Sequence, residues 1–186
     1  MAVVAENIEH YNYDDYKTWE GDWELIDGVA YAMNPSSMAP APIRRHQGIA
    51  SAIISTLYTQ LDTCPQCEVL GEIDYKVDDY TTLKPDIALT CGETHERYLT
   101  KAPEIVVEII SKSTARRDEV HKFAIYEKEK VHYYMLVYPE DLYAKVYVLK
   151  GSNYDKVGDF SKETYHFKET TCSVVIDFEK VFSRFA

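Results

Sequence analysis

Glu108 stands inside the run Glu104-Ile-Val-Val-Glu-Ile-Ile110, among side chains that offer it no partner. In an extended strand, residues two apart share a face, so Glu108 lies beside Val106 and Ile110. A lone carboxylate there is costly unless it is paired or meets a cation. Asp86 raises the same question, because it heads a second apolar run, Lys84-Pro-Asp-Ile-Ala-Leu89. Two carboxylates at neighbouring strand positions repel, raising one pKa, unless a divalent ion lies between them. Paired oxygen ligands on a rigid sheet are what Mg2+ or Mn2+ takes. Asp86 and Glu108 are therefore the candidate metal ligands. The competing reading of Glu108 is a structural ion pair near a strand end, since such pairs perturb carboxylates too.

Asp118, Lys122 and Tyr126 follow at i, i+4 and i+8, so they share one face of a helix. A helix that crosses back over the sheet can aim that face at the strand it left. Lys122 would then reach the site beside Glu108. Its ammonium would stabilise negative charge on a phosphoryl group in the transition state, or position the attacking water. The competing reading of Asp118 and Lys122 is an ordinary surface pair.

The elements that must position these residues can be read from periodicity and turn chemistry. A short helix is expected around Tyr13–Trp19, then a hairpin over Trp23–Met33 with Asp27-Gly28 at its turn. The proline-rich stretch 34–42 reads as a loop. From about Ile43 to Leu61, Ile49, Ile53, Leu57 and Leu61 recur every four residues and give one apolar helix stripe. Strand-like runs follow at Val69–Val77, Pro85–Thr90 and Glu104–Ile110. The polar connection 91–103 is long enough to suggest a functional loop. A helix over Ser113–Lys130, capped by Ser113 or Thr114, precedes the strand Tyr133–Tyr138. Strand, helix, strand in that order makes runs 104–110 and 133–138 parallel. Short strands at 145–149, 165–167 and 173–176 and a helix at 178–185 complete a mixed sheet flanked by helices.

The 186 residues, 46% of them apolar or aromatic, suit one domain spanning 1–186. No apolar run is long enough for a transmembrane helix. The first residues lack a basic region followed by an apolar one, so a cytoplasmic protein is expected. The net charge of −11 disfavours non-specific nucleic-acid binding. Arg44-Arg45 and the group Lys112, Arg116 and Arg117 are local basic clusters that could offset it. Cys64-Pro-Gln-Cys67 has redox or half-zinc-site spacing. No second close pair of Cys or His follows, so a loop carrying two thiols is expected.

The segments WELIDG at 23–28, HQGIASAIISTL at 46–57, KPDIALT at 84–90, PEIVVEIISKST at 103–114, and Asp118, Lys122 and Tyr126 before YYMLVYPED at 133–141 together resemble one bacterial family. It is the Uma-type family of restriction-endonuclease-like proteins, within the PD-(D/E)XK nuclease superfamily. The resemblance runs from about Tyr13 to Tyr154. It implies a restriction-endonuclease-like mixed four-stranded sheet, a bound Mg2+ (or Mn2+), and hydrolysis of phosphodiester bonds. It maps the motif Asp to Asp86 and the second acidic residue to Glu108. The usual Lys two residues after that Glu is here Ile110, and the resemblance maps its role to Lys122 on the helix. Glu24 is implied as a further metal ligand, and His46 and Asp118 as supporting residues.

The expected function is a Mg2+-dependent endonuclease acting on DNA, with a homodimer favoured if both strands are cut. The alternative is a catalytically silent metal- or nucleic-acid-binding accessory protein on the same scaffold.

Overall fold

The computed structural model describes residues 9–33, 44–111 and 115–186. The expected loop 34–42, the Ser113 or Thr114 cap and the basic Lys112 lie outside the described residues.

The first element among the described residues is α1 (Tyr13–Tyr16), started by a capping box between Asn12 and Asp15. A hairpin of β1 (Trp23–Ile26) and β2 (Val29–Ala32) follows, antiparallel as expected. Asp27 and Gly28 both have positive φ, 49° and 76°, which is the geometry that turns two twisted strands back on each other. α2 (Arg44–Tyr58) buries Ile49, Ile53 and Leu57 along the expected stripe.

The expected strand 69–77 is two elements. β3 (Cys67–Gly71) ends where Glu72 takes φ 52°, and β4 (Tyr75–Lys76) joins a different sheet. β4 pairs antiparallel with β5 (Thr82–Leu83), which also meets β1. The small sheet therefore has the order β2-β1-β5-β4. β6 (Ile87–Cys91) and β7 (Ile105–Ile109) pair antiparallel, and β7 lies parallel to β8 (Tyr133–Tyr138), as the crossover argument requires. β9 (Tyr143–Lys150) and β10 (Asn153–Phe160) extend the large sheet to the order β10-β9-β8-β7-β6-β3. β11 (Thr164–Phe167) and β12 (Val174–Asp177) form a separate ribbon, and α4 (Phe178–Phe182) closes the chain, capped by Asp177. The large sheet is mixed, with helices against it.

Its two faces bury different cores. Ile105, Val107 and Ile109 pack with Ile49, Ile53 and Leu57 of α2 and with the ribbon and α4. Val106 and Ile110 face the opposite way, toward Tyr126, Tyr134 and residues of the small sheet. Alternation along β7 thus sends Glu108 to this second face.

The loop 91–103 is organised by Glu93. Its carboxylate accepts the backbone N–H groups of Thr94, His95, Thr100 and Lys101. Partial burial would raise its pKa, but these bonds outweigh it and hold the carboxyl at about 2. The order of this loop thus has a structural cause.

The Cys64–Cys67 loop departs from expectation. Cys64 is joined to Cys172 and Cys67 to Cys91, so neither is a free thiol. The antiparallel pairing of β3 with β6 sets Cys67 directly opposite Cys91. That register is invisible to local spacing. No helix among the described residues is long and apolar enough to cross a membrane.

Candidate active site

The crossover from β7 to β8 begins, within the described residues, at Ala115. It runs as a π-helical segment, Arg117–Lys122, into α3 (Phe123–Lys128). A π-turn is wider than an α-turn and occurs frequently at functional sites. Here it buries Asp118 and Lys122 against the second face of the sheet.

Lys122 is fully buried, and three carboxylates surround its ammonium. Nζ lies 2.6 Å from Glu24 Oε1, 3.0 Å from Glu108 Oε1 and 3.3 Å from Asp118 Oδ1. Tyr126 donates its hydroxyl to Glu108 Oε1 at 2.9 Å. The Tyr134 hydroxyl donates to the Asp118 carbonyl at 2.9 Å, which pins the π-segment to β8. Glu24 reaches in from the hairpin. Its Oε1 also accepts the Lys84 N–H at 2.9 Å, and its Oε2 lies 3.2 Å from Arg117 Nε. The last two atoms are buried without the geometry of a hydrogen bond. Arg117 further spans from the helix to the hairpin, with its guanidinium 5.8 Å over the Tyr31 ring.

Charge and burial pull in opposite directions here. Burial pushes the Glu108 carboxyl well above its ordinary value; the Lys122 ammonium pulls it down, and Asp118, Asp86 and Glu24 push it further up. Burial alone would make Lys122 shed its proton, but the charges of Glu108, Glu24 and Asp118 outweigh it and hold the ammonium above its usual range. The two shifts compete, because a protonated Glu108 would hold Lys122 less strongly. With three carboxylates around one ammonium, Lys122 stays charged, and Glu108 is the group that takes up a proton when the pH falls. Burial, then Glu108, keeps the Tyr126 hydroxyl protonated.

Asp86 sits at the mouth of this cluster. Extending the β6–β7 register past Ile87 and Val107 brings Asp86 opposite Glu108 and Pro85 opposite Ile109. Proline has no N–H to donate, so the ladder cannot continue there. Side chains take over. Ile109 N–H donates to Asp86 Oδ2 at 2.6 Å, and the Ile109 carbonyl accepts from His46 Nε2 at 3.1 Å. His46 Nε2 also lies 3.6 Å from Asp86 Oδ2. Burial lowers the imidazole pKa, but Asp86 and the Ile109 carbonyl outweigh it, and the net shift is upward. Asp86 and His46 thus grip both backbone groups of the residue after Glu108.

All seven residues singled out by sequence, Glu24, Asp86, Glu108, Asp118, Lys122, His46 and Tyr126, meet in one region. Arg117 was legible only as part of a basic cluster, and its pairing with Glu24 was not. Among the described residues, no group of three or more His, Cys, Asp or Glu side chains forms a ready metal cage. A Mg2+ ion needs less, because it keeps several waters and takes one or two carboxylates beside a substrate phosphate. The donor chemistry of Asp86 and Glu108 fits that pattern. Glu24 Oε2, buried and without a hydrogen bond, is an anionic oxygen of the same cluster already ion-paired with Arg117.

Comparison with known proteins bears on the fold and the family. The fold matches the crystal structure of a "putative nuclease belonging to DUF820" from Anabaena variabilis. The TM-score is 0.74 at 15% identity, over 94% of this chain and 99% of that one. An uncharacterized protein of Synechocystis sp. is 30% identical over 123 residues, which is 61% of this chain. The chain spans 60% of the length of that relative. The profile of the Uma2 family, described as "Putative restriction endonuclease", matches residues 13–166. The chain belongs to the Uma2 family, on a nuclease-like fold.

Proposed function

We propose that the chain is a Mg2+- or Mn2+-dependent endonuclease that hydrolyses phosphodiester bonds of DNA. The observation that supports this reading most is Glu108. It is a carboxylate in the middle of a buried strand, held by Lys122 and Tyr126, with Asp86 bonded to the backbone N–H of the next residue. Asp86 and Glu108 would hold the metal. Both Lys122 and Tyr126 bind Glu108 Oε1, so the other oxygen is the one that would be offered to a cation. A divalent cation there supplies Lewis acidity toward the phosphate and lowers the pKa of water.

The protein's own groups do the positioning. Tyr126 and Lys122 fix the Glu108 rotamer. The buried Lys122 ammonium lies directly behind the carboxylate, where its charge would stabilise negative charge building on a phosphoryl group. Asp86 and His46 hold the β7 backbone at Ile109, so Glu108 cannot drift along the sheet. Glu24 and Asp118 keep Lys122 protonated. The described residues carry one such site, so double-strand cutting would call for two copies.

The test is nicking of supercoiled plasmid with Mg2+, Mn2+ or chelator, using wild type, Glu108→Gln and Lys122→Met. Metal-dependent nicking lost in both variants supports the reading. The second reading, a silent metal- or nucleic-acid-binding accessory protein, is favoured by one observation: Lys122 is wholly enclosed by carboxylates and does not itself reach solvent. A Mn2+-induced rise in thermal stability without nicking of DNA or RNA would select that reading and reject the enzyme.

A further inference from the structure

The four cysteines of the chain lie in one neighbourhood that was assembled without them. Cys64 and Cys67 are the ends of a turn closed by the Cys67 N–H to Cys64 carbonyl bond at 2.9 Å. Cys91 is set opposite Cys67 by the β3–β6 ladder, and the Gly92 N–H to Gln66 carbonyl bond at 2.8 Å ties the two loops together. Cys172 is brought in by Gln60. That side chain donates to the Val175 carbonyl and accepts the Val175 N–H, each at 2.8 Å. Glu104 accepts the Thr171 N–H at 2.7 Å from the other side. Backbone and amide bonds therefore hold all four positions, and reduction of the disulfides would leave that scaffold in place. Cys67 and Cys172 are buried, Cys64 and Cys91 half-buried, and a cleft of about 300 Å³ opens onto Cys64 and Cys67.

In the disulfide form no sulfur is available to a metal. In the reduced form the same spacing offers Cys-x-x-Cys plus two further thiolates. We propose that the reduced chain binds one Zn2+ through Cys64, Cys67, Cys91 and Cys172. Zinc takes four thiolates in a tetrahedron at about 2.3 Å, which sets the sulfurs about 3.8 Å apart. The Cα separations of 6.0 Å for Cys64–Cys172 and 4.0 Å for Cys67–Cys91 keep each pair within reach of such an edge after side-chain rotation. Two equivalents of a dithiol reductant supply the four electrons and four protons that open the two disulfides, becoming disulfides themselves. Zn2+ binding then releases the four thiol protons to solvent. This pattern of cysteines in a reducing compartment is a metal site more often than a disulfide frame. The site lies on the α2 face of the large sheet, away from the Glu108 face, so its zinc would be structural.

The experiment uses the full chain, expressed with added zinc and purified with a dithiol reductant under nitrogen. About one zinc per chain is expected by plasma mass spectrometry, released by a mercurial in step with the thiols. Cys64→Ser and Cys172→Ser should lower zinc content about tenfold or more, while Glu108→Gln should leave it unchanged. Because the serine variants could fail to fold, Co2+ is titrated into the reduced wild-type chain. The intense visible bands of a tetrahedral thiolate complex are expected. A reduced chain with four titratable thiols, no zinc, and the pale spectrum of six-coordinate Co2+ would overturn the site. Persistence of both disulfides in the reductant would overturn it equally.

Discussion

Lys122 Nζ lies closer to Glu24 Oε1, at 2.6 Å, than to either carboxylate contributed by its own half of the fold. Glu24 belongs to the small sheet, Glu108 to the large one, and Lys122 to the crossover between strands of the latter. One buried ammonium therefore joins two sheets. Removing it strands three carboxylates. Lys122→Met is expected to destabilise the fold by about 3–5 kcal/mol near neutral pH, the usual cost of breaking a buried pair from one side. The double variant Glu24→Gln with Lys122→Met should recover part of that loss. Urea unfolding of the three proteins measures both; equal stability of wild type and Lys122→Met would mean the carboxylates find another counter-charge.

Glu108 gives a pH dependence of known sign. Its pKa in the folded chain is raised above the ordinary 4.5, so the folded state holds a proton that the unfolded state has lost. That contribution is fully present below about 4.5 and is lost as pH rises toward the folded value. The stability of wild type relative to Glu108→Gln should therefore fall as pH rises from about 4.5 toward neutrality. Unfolding midpoints for the pair, taken across that window in chelator, read this directly. A constant difference would show that Glu108 has no raised pKa.

His46 titrates with the opposite chemistry and the same direction of loss. Its folded pKa is above the ordinary 6.5, so its contribution is complete below that value and disappears as pH rises through the higher one. Imidazole chemical shifts should show His46 titrating above 6.5, and Asp86→Asn should bring it down. An unmoved His46 in that variant would sever the link between the two.

Tyr126→Phe removes one of two donors to Glu108 Oε1. A hydrogen bond to a charged group is worth about 1.5–3 kcal/mol, and a loss of stability in that range is expected. Under the proposed function, nicking should fall less than in Lys122→Met, because the charge behind Glu108 remains.

Gly28 turns the hairpin that carries Glu24. At φ 76° a Cβ is disfavoured, and it would clash with the His10 ring. Gly28→Ala should cost about 1–2 kcal/mol or more and raise the amide exchange of Leu25 and Ile26. Unchanged exchange would mean His10 simply moves aside.

Five of the seven candidate residues were legible from local pattern, whereas Glu24 and His46 came only from the family resemblance. Glu108 and Asp86 are charges in apolar runs, and Lys122 shares a helix face with Asp118 and Tyr126. The parallel pairing of β7 and β8 followed from chain order. Long-range pairing hid the rest. β10, Asn153–Phe160, has Asn, Asp, Lys and Gly at positions that disfavour a strand, and the register with β9 carries it. The break after Gly71 and the disulfide pairing both depend on partners distant in the chain. The Glu24–Arg117 pair joins residues from two sheets, which no spacing encodes.

The hairpin has a further consequence for how the chain is made. Lys122 follows Glu24 by roughly a hundred positions, so at ordinary rates of synthesis it leaves the ribosome about 5–20 s later. Until then Glu24 has no ammonium to meet and must remain hydrated, which keeps the β1–β2 hairpin from burying its inner face. These early strands are thus among the last to dock, and the interval is a window in which a chaperone would find an open, half-apolar ribbon.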